Sequence, residues 1–283
     1  MYQTIMDYLT FTKENRERIL AVENSFSPGG TALAKPGRIL VGEGRLLKQG
    51  RKKPQLKAFF LFSDVLVYGS VLLCGRWHRK QRVIPLEDIL LEDMEDGVRL
   101  TNQWLIRTPR KSFFVSAPTQ EEKQAWMQHI EDCRSNLRPG PFQGDGPKPV
   151  SHFAVSWIPD KVSSLCMRCT KTFTVTKRRH HCRQCGFIVC NACSKDRTQI
   201  SHINTKKKLR VCSYCYSMKN EENEVVTRQR GGSTDTKSSE EDDLALSSDE
   251  EEMDETMMDN TPSKWLDSHS GTWGQMGTYV SVK

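Results

Sequence analysis

The chain of 283 residues lacks any apolar run near the ~20 residues that a membrane-spanning helix requires. Its first residues, MYQTIMDYLTFTKENRER, also lack the basic-then-apolar order of a secretory signal peptide. We therefore expect neither a membrane-spanning nor a secreted protein. With 36% hydrophobic and 27% charged residues, the composition is that of ordinary folded domains.

Cysteines are scarce outside one region, because eight of the ten lie between residues 166 and 215. A disulfide scaffold would spread them along the chain, so this clustering favours bound metal in a reducing compartment. The eight form four Cys-x-x-Cys pairs, namely Cys166 with Cys169, Cys182 with Cys185, Cys190 with Cys193, and Cys212 with Cys215.

Four thiolates complete a tetrahedral zinc site and leave no position for water or substrate, so the pairs predict two structural Zn(II) ions. Only four residues separate the second pair from the third, which is a short connection for wrapping one ion from two sides. We therefore expect the pairs to interleave. The first and third pairs would hold the first zinc, and the second and fourth pairs would hold the second.

Charge is distributed unevenly. Residues 151–219 carry fourteen Lys and Arg but only two acids, Asp160 and Asp196, which gives a net charge of +12 and predicts an anionic partner. By contrast, residues 238–261 contain eleven acids and no basic residue. Such a composition cannot bury a core, so we expect residues 220–283 to form a disordered acidic tail. Four Pro and three Gly mark residues 138–150 as a linker.

Residues 38–137 contain short β-type runs followed by one helix. The helix begins with a capping box of Thr119 and Glu122 and carries Trp126 on its apolar face. This order resembles a pleckstrin homology (PH) domain, which implies a β-sandwich or barrel closed by a C-terminal helix, with Trp126 in the core. The N-terminal segment 1–37 contains a short helix around residues 5–22, to which the sequence assigns no function.

The PH resemblance implies that basic residues near the first hairpin grip the phosphates of a lipid headgroup. The candidates here are Lys48, Arg51, Lys52, Lys53 and Lys57. The basic residue usually expected just before the aromatic pair is replaced by Ala58. A solvated turn would be equally rich in cations, so both interpretations remain open.

Three elements surround the cysteines in a fixed order: Trp157-Ile158-Pro159-Asp160, then Arg178-Arg179-His180-His181-Cys182-Arg183, then Arg210 before Cys212. Together they resemble the FYVE zinc finger over residues 151–219. FYVE fingers bind phosphatidylinositol 3-phosphate, so the resemblance implies as lipid ligands Trp157, Asp160, Arg178, Arg179, His180, His181, Arg183 and Arg210. It also implies a membrane-inserting loop at Val175 and Thr176. A PH domain followed by a FYVE finger resembles the Phafin family.

These features predict a non-enzymatic adaptor that moves from the cytoplasm to early endosomes as a peripheral membrane protein. Its FYVE finger would bind phosphatidylinositol 3-phosphate on the anionic membrane with assistance from the PH domain. It would regulate endosomal trafficking or autophagy with trafficking proteins that the sequence does not identify. The alternatives are a FYVE-like effector of small GTPases that binds no lipid, and a nucleic-acid-binding zinc protein. Nucleic acid is not the expected partner, because it leaves the Trp-x-x-Asp element unexplained.

Overall fold

The computed structural model describes residues 2–26, 29–72, 77–96, 101–137, 152–219, 261–267 and 272–275, with side chains from residue 11 to residue 274. The predicted linker 138–150 and most of the predicted tail lie outside these ranges. None of the helices within them is both long and apolar enough to cross a bilayer.

A PH-type β-sandwich forms the first domain, as the sequence predicts. Seven antiparallel strands follow the order β4-β3-β2-β1-β7-β6-β5, and the long first strand joins the two halves because it pairs with both β2 and β7. The strands are β1 (Leu40–Gln49), β2 (Pro54–Phe62), β3 (Val65–Leu72), β4 (Trp77–Pro85), β5 (Leu90–Asp93), β6 (Gln103–Arg107) and β7 (Phe113–Ser116).

Helix α2 (Gln120–Leu137) closes the inner face of this sandwich. The Thr119 hydroxyl accepts a hydrogen bond from the Glu122 amide at 3.2 Å, which confirms the predicted N-cap. Trp126 is fully buried and packs edge-on against Phe59 of β2, with ring centroids 6.2 Å apart. Its role in the core is therefore the one that the PH resemblance implies.

Helix α1 (Tyr2–Ser25) is longer than the predicted N-terminal helix and covers the outer face of the first sheet. Ile19 and Val22 lie one turn apart and are buried in a second apolar cluster, which also contains Ala58 and Phe60 of β2. Asn15 ties the helix to the start of β1, because its amide donates to Arg38 O at 2.9 Å and accepts from Leu40 N at 3.0 Å. Both faces of the sheet are thus covered.

The predicted disorder of the tail is wrong for two short stretches. Strands β12 (Lys264–Leu266) and β13 (Trp273–Gln275) form an antiparallel hairpin, and β12 pairs with the free edge of β1. Apolar side chains account for this order, because Trp265 is buried in the PH core and Trp273 packs against the cluster under α1. The many acidic residues of the tail led to a prediction of disorder, although the two tryptophans that follow them can pack against the PH domain.

The described part of the finger contains four short strands, two single-turn 3-10 helices and helical backbone over residues 213–219. Strand β8 (His180–His181) pairs with β9 (Ile188–Val189), and β10 (Arg197–Ile200) pairs with β11 (Asn204–Arg210). Its apolar core is small and consists largely of the cysteines themselves, together with residues such as Val189, Leu209 and Val211. A core of this size requires metal for stability.

Candidate zinc centres and lipid-binding site

The eight clustered cysteines form two tetrads. One contains Cys166, Cys169, Cys190 and Cys193, and the other contains Cys182, Cys185, Cys212 and Cys215. In each tetrad all sulfur atoms lie within 4.8 Å of one another. The structure groups the pairs in the predicted interleaved way, and each tetrad could hold one of the two structural zinc ions.

Spacing between sulfur atoms fits zinc in both tetrads. A tetrahedron with Zn–S bonds of ~2.3 Å has edges of about 3.8 Å. Cys169 Sγ and Cys190 Sγ are 3.8 Å apart, and Cys185 Sγ and Cys212 Sγ are 4.0 Å apart. Backbone amides support the buried sulfurs, because Cys190 N donates to Cys166 Sγ at 3.3 Å and Cys212 N donates to Cys182 Sγ at 3.2 Å. These bonds stabilise the thiolates that zinc requires.

Arg168 supports the second tetrad from within the first Cys-x-x-Cys pair, a role that the sequence analysis missed. Its Nε donates to Cys212 Sγ at 3.3 Å, and a terminal nitrogen donates to Cys185 Sγ at 3.7 Å. The guanidinium also lies over the rings of Phe187 and Tyr214, at 4.8 and 4.7 Å from their centroids. The sequence did contain a signal for this role. An arginine located between two metal-binding cysteines must lie close to the negatively charged thiolates of the zinc finger.

Four of the predicted lipid ligands lie together beside the second tetrad. The Trp157 ring stacks on His181, with centroids 5.1 Å apart and planes 12° apart. Arg183 covers the same indole at 4.0 Å and donates to His181 O at 2.8 Å. Asp160 Oδ1 is 3.6 Å from His181 Nε2. We call Trp157, Asp160, His181 and Arg183 the Trp157 cluster.

Hydrogen bonds along the chain position this cluster. His181 is buried on β8, and its Nε2 is 2.8 Å from Ile158 O, so the imidazole ties the Trp-x-x-Asp segment to the zinc core. Burial lowers the pKa of His181 below its ordinary 6.5, the adjacent Asp160 opposes this shift, and Arg183 adds to it.

The remaining predicted ligands lie around this cluster rather than within it. Arg210 is joined to it through its backbone, because Arg183 N donates to Arg210 O at 2.9 Å. Its guanidinium, however, donates to Asn191 Oδ1 at 2.9 Å and to Ser194 O at 2.6 Å, which gives it a structural role. Arg179 lies over Phe173 at 4.8 Å, Arg178 is exposed, and His180 is half-buried on β8.

The predicted membrane loop is a tight turn with an exposed tip. Thr174 N donates to Lys177 O at 3.2 Å, and Lys177 N donates back to the Thr174 hydroxyl at 3.0 Å. Val175 lies at the tip with 94% of its surface exposed, and Thr176 is exposed beside it. A valine held outward by a hydrogen-bonded turn is a small apolar probe for a bilayer.

The five PH candidates occupy different parts of the first hairpin. Lys48 and Lys57 lie on the strands and share their inner face at the open end of the sandwich. Lys48 Nζ lies 4.7 Å from the Phe113 centroid, and Lys57 Nζ donates to Ser70 Oγ at 2.7 Å. The turn itself holds the other three, Arg51, Lys52 and Lys53.

Ala58 does not remove a cation from this end of the sandwich. It is buried on the outer face, in the cluster under α1, whereas the preceding Lys57 is on the inner face. A basic residue at position 58 would therefore point toward α1. The apparent departure from the PH pattern reflects the alternation of the strand.

The PH turn and the finger meet at one charged pair. Asp160 N donates to Arg51 O at 2.9 Å, and the two side chains form an ion pair at 3.5 Å. Lys111, in the loop between β6 and β7, was not among the predicted site residues. Its Nζ lies 5.4 Å from the centroid of the Trp157 ring. Ser112 and Ala154 add a further hydrogen bond between the two domains. The structure therefore brings candidate residues from both domains to a single cleft.

Comparison with known proteins agrees with this architecture. The model of the PH domain matches residues 40–135, and the model of the FYVE zinc finger matches residues 156–221. The fold and the metal centres thus define a class of protein in which a PH domain precedes a two-zinc FYVE finger. Both domains are phosphoinositide-binding modules, and this combination is typical of adaptor proteins that associate with membranes peripherally.

Whole-chain similarity identifies the family. The chain is 42% identical over 270 residues to pleckstrin homology domain-containing family F member 1 of Homo sapiens, covering 93% of this chain and 95% of that protein. It is 48% identical over 214 residues to member 1 of Rattus norvegicus, covering 75% of each. Member 2 of Homo sapiens is 43% identical over 215 residues, covering 76% of this chain and 84% of that protein. The chain belongs to this family, the Phafin family.

Proposed function

We propose that this protein binds phosphatidylinositol 3-phosphate through its FYVE finger and is recruited by that lipid from the cytoplasm to early endosomes. There it acts as an adaptor in endosomal trafficking or autophagy, with trafficking proteins as partners. The observation that carries the proposal is the Trp157 cluster. It presents Arg183 and Asp160 on a rigid, zinc-supported base at the positions of the FYVE motif.

The chemistry of this cluster suits a phosphomonoester. A 3-phosphate is close to a dianion at neutral pH, and guanidinium groups bind its oxygens through charge-assisted hydrogen bonds. Arg178, Arg179 and Arg183 supply such groups, and Asp160 can accept hydrogen bonds from inositol hydroxyls. His180 and His181 add donors when protonated. A bound dianion would raise the pKa of His181, opposing the effect of its burial.

Three features support binding at a membrane surface. Val175 and Thr176 form an exposed tip that can enter the lipid interface, although a single valine provides little apolar area. The finger region has a net charge of +12, which attracts it to an anionic leaflet. Arg51 lies beside the same cleft and Lys57 at the open end of the sandwich, so they can engage a second headgroup, whereas Lys48 is buried beneath them against Phe113.

Co-sedimentation of the full chain with liposomes containing phosphatidylinositol 3-phosphate tests the proposal. Arg183→Ala should weaken binding roughly 10- to 100-fold, because a charge-assisted contact is typically worth ~1.5–3 kcal/mol. Arg179→Ala should act in the same direction. Lys195→Ala is the matched control, because it removes one exposed positive charge from the same finger outside the motif.

Zinc content separates loss of ligand binding from loss of fold, since each variant should retain two zinc ions. Liposomes with phosphatidylinositol or the 4-phosphate isomer provide the specificity arm. Unchanged sedimentation of both arginine variants would refute the lipid-binding role of the motif. It would leave the family's adaptor function to be explained by protein partners alone.

A further inference from the structure

The C-terminal hairpin extends the PH sheet as an added strand. Strand β12 runs antiparallel to β1, with Trp265 opposite Gly42 and Lys264 opposite Glu43. Lys264 Nζ and Glu43 Oε1 also form an ion pair at 3.4 Å. Addition of a strand to an open sheet edge is a common mode of peptide recognition, in which the main chain provides affinity and side-chain pockets provide specificity.

Trp265 fills the main pocket. Its side chain is only 5% exposed, and its ring packs edge-on against Trp126 of α2 with centroids 4.8 Å apart. His129, one helical turn away on α2, stacks on the Trp265 ring with centroids 4.1 Å and planes 22° apart. A buried tryptophan packed against two aromatic rings is the type of anchor that dominates binding at protein interfaces.

Ser263 fills a second, polar pocket and is 1% exposed. Its amide donates to Glu122 Oε1 at 2.7 Å, and its hydroxyl donates to Glu122 Oε2 at 2.6 Å. The same hydroxyl accepts a hydrogen bond from Trp126 Nε1 at 3.0 Å. The Ser263 hydroxyl thus acts as hydrogen-bond donor and acceptor at the same time, and the side chains of valine and alanine can do neither.

Two glycines of β1 make room for these side chains. A Cβ atom at Gly42 would lie 2.3 Å from the Trp265 ring, and a Cβ atom at Gly44 would lie 2.1 Å from Ser263 Oγ. Any other residue at either position would collide with the occupant. The edge of β1 therefore has a notch that matches a serine and a tryptophan two residues apart, whose side chains lie on the same side of a strand.

We propose that this groove is a peptide-binding site for an extended Ser-x-Trp segment, and that it can accept residues 263–265 of a second copy of the chain in place of its own. Every contact described for the pockets comes from three consecutive residues, so recognition is local to the peptide. It does not depend on the residues that connect the segment to the finger.

Residues 263–265 of the same chain make the same contacts as a free peptide would, but their covalent attachment gives them an advantage in competing for the groove. A linked ligand meets its site at an effective concentration on the order of mM, so the segment of the same chain outcompetes a free one at ordinary protein concentrations. Exchange with a second copy becomes favourable when copies are crowded, as on a membrane. A free peptide should therefore bind weakly to the wild-type chain and better to a chain whose own segment is disabled.

The test uses a fluorescent peptide spanning residues 259–276 and the full-length protein as acceptor. Trp265→Ala and, separately, Ser263→Asp disable the resident segment, the second by placing a carboxylate against Glu122. Anisotropy should give an apparent affinity on the order of tenfold tighter for both variants than for wild type. A peptide with the same Trp265→Ala change is the matched control and should not bind. Adding Gly42→Val to either acceptor should abolish binding, because the valine fills the notch.

Two results would overturn the proposal. One is the absence of peptide binding by both acceptors up to 1 mM, on the order of the effective concentration of the linked segment. The other is binding that survives loss of the tryptophan from the peptide, because this comparison uses two peptides on the same acceptor and so does not depend on any further change in the protein. The interpretation does not rest on the lipid-binding function, since the assay contains no lipid.

Discussion

Arg168→Met should selectively weaken the second zinc site. The substitution keeps an unbranched side chain to pack between Phe187 and Tyr214 but removes both donors to the sulfurs of Cys212 and Cys185. Charge-assisted hydrogen bonds contribute ~1.5–3 kcal/mol, and the longer of these two contributes less than the shorter. A net loss of about 1.4–2.7 kcal/mol corresponds to a 10- to 100-fold weaker site, the usual range for residues that support metal ligands.

A chelator titration measures this change. Wild-type protein should release two zinc ions at similar chelator concentrations, whereas Arg168→Met should release one of them at a concentration 10- to 100-fold lower. Arg168→Lys should have an intermediate effect, because it keeps the charge but loses the planar pair of donors. Lys171→Met, an exposed position in the same segment, is the control for charge. Release of both ions at wild-type concentrations would refute the assigned role of Arg168.

Two further predictions concern the membrane tip and the PH domain. Val175→Glu should reduce liposome retention several-fold with zinc content unchanged, because it places a charge at the exposed tip; equal retention would show that the tip does not insert. Acidification from pH 7 to 5 should lower the free energy of unfolding of the PH domain by about 1–2 kcal/mol. Burial, with a contribution from Arg45, lowers the pKa of His78 in the folded domain to about 4, whereas its pKa in the unfolded chain is about 6.5. The unfolded chain therefore binds more protons over this range and is stabilised by acid. Chemical denaturation of His78→Gln should show less of this loss, and an identical pH dependence would contradict the assignment.

Sequence reasoning succeeded where the determining residues are close together in the chain. The two residues between paired cysteines fix the geometry of each half-site, and the short connection between Cys185 and Cys190 prevents those neighbouring pairs from sharing an ion. The N-cap at Thr119 is equally local, since the hydroxyl and the amide it accepts from are three residues apart. In such cases spacing is sufficient to predict contact.

Prediction failed where contact depends on segments far apart in sequence. Glu122 has the spacing of a capping box, yet its carboxylate binds Ser263, 141 residues later. Composition indicated disorder for that part of the chain because the acidic run dominates the average. The two tryptophans of the tail were visible in the sequence. Their burial could not be predicted, however, because the groove that accepts them exists only in the folded β-sandwich.

Side-chain direction was a second source of error. The comparison of Ala58 with the expected cation required knowledge of which strand positions face inward, and a shift of one residue reverses that direction. In the structure Ala58 packs under α1 and Lys57 faces the open end of the sandwich. Helix α1 itself, which buries the outer face, could not be placed on the sheet from its own sequence.

The contact between Arg51 and Asp160 links the two candidate lipid sites, and its strength sets how tightly they can be coupled. Under the proposed function, a phosphate bound to Arg51 competes with the Asp160 carboxylate, and an inositol bound to Asp160 competes with Arg51. The pair is 3.5 Å apart, and the side chains are 33% exposed at Arg51 and 14% exposed at Asp160. Exposed ion pairs contribute about 0–1 kcal/mol, a roughly fivefold effect on affinity at most, and the partial burial of Asp160 places this pair toward the upper end of that range. Under the proposed function, a headgroup bound in either domain could therefore displace this ion pair at a modest cost in affinity.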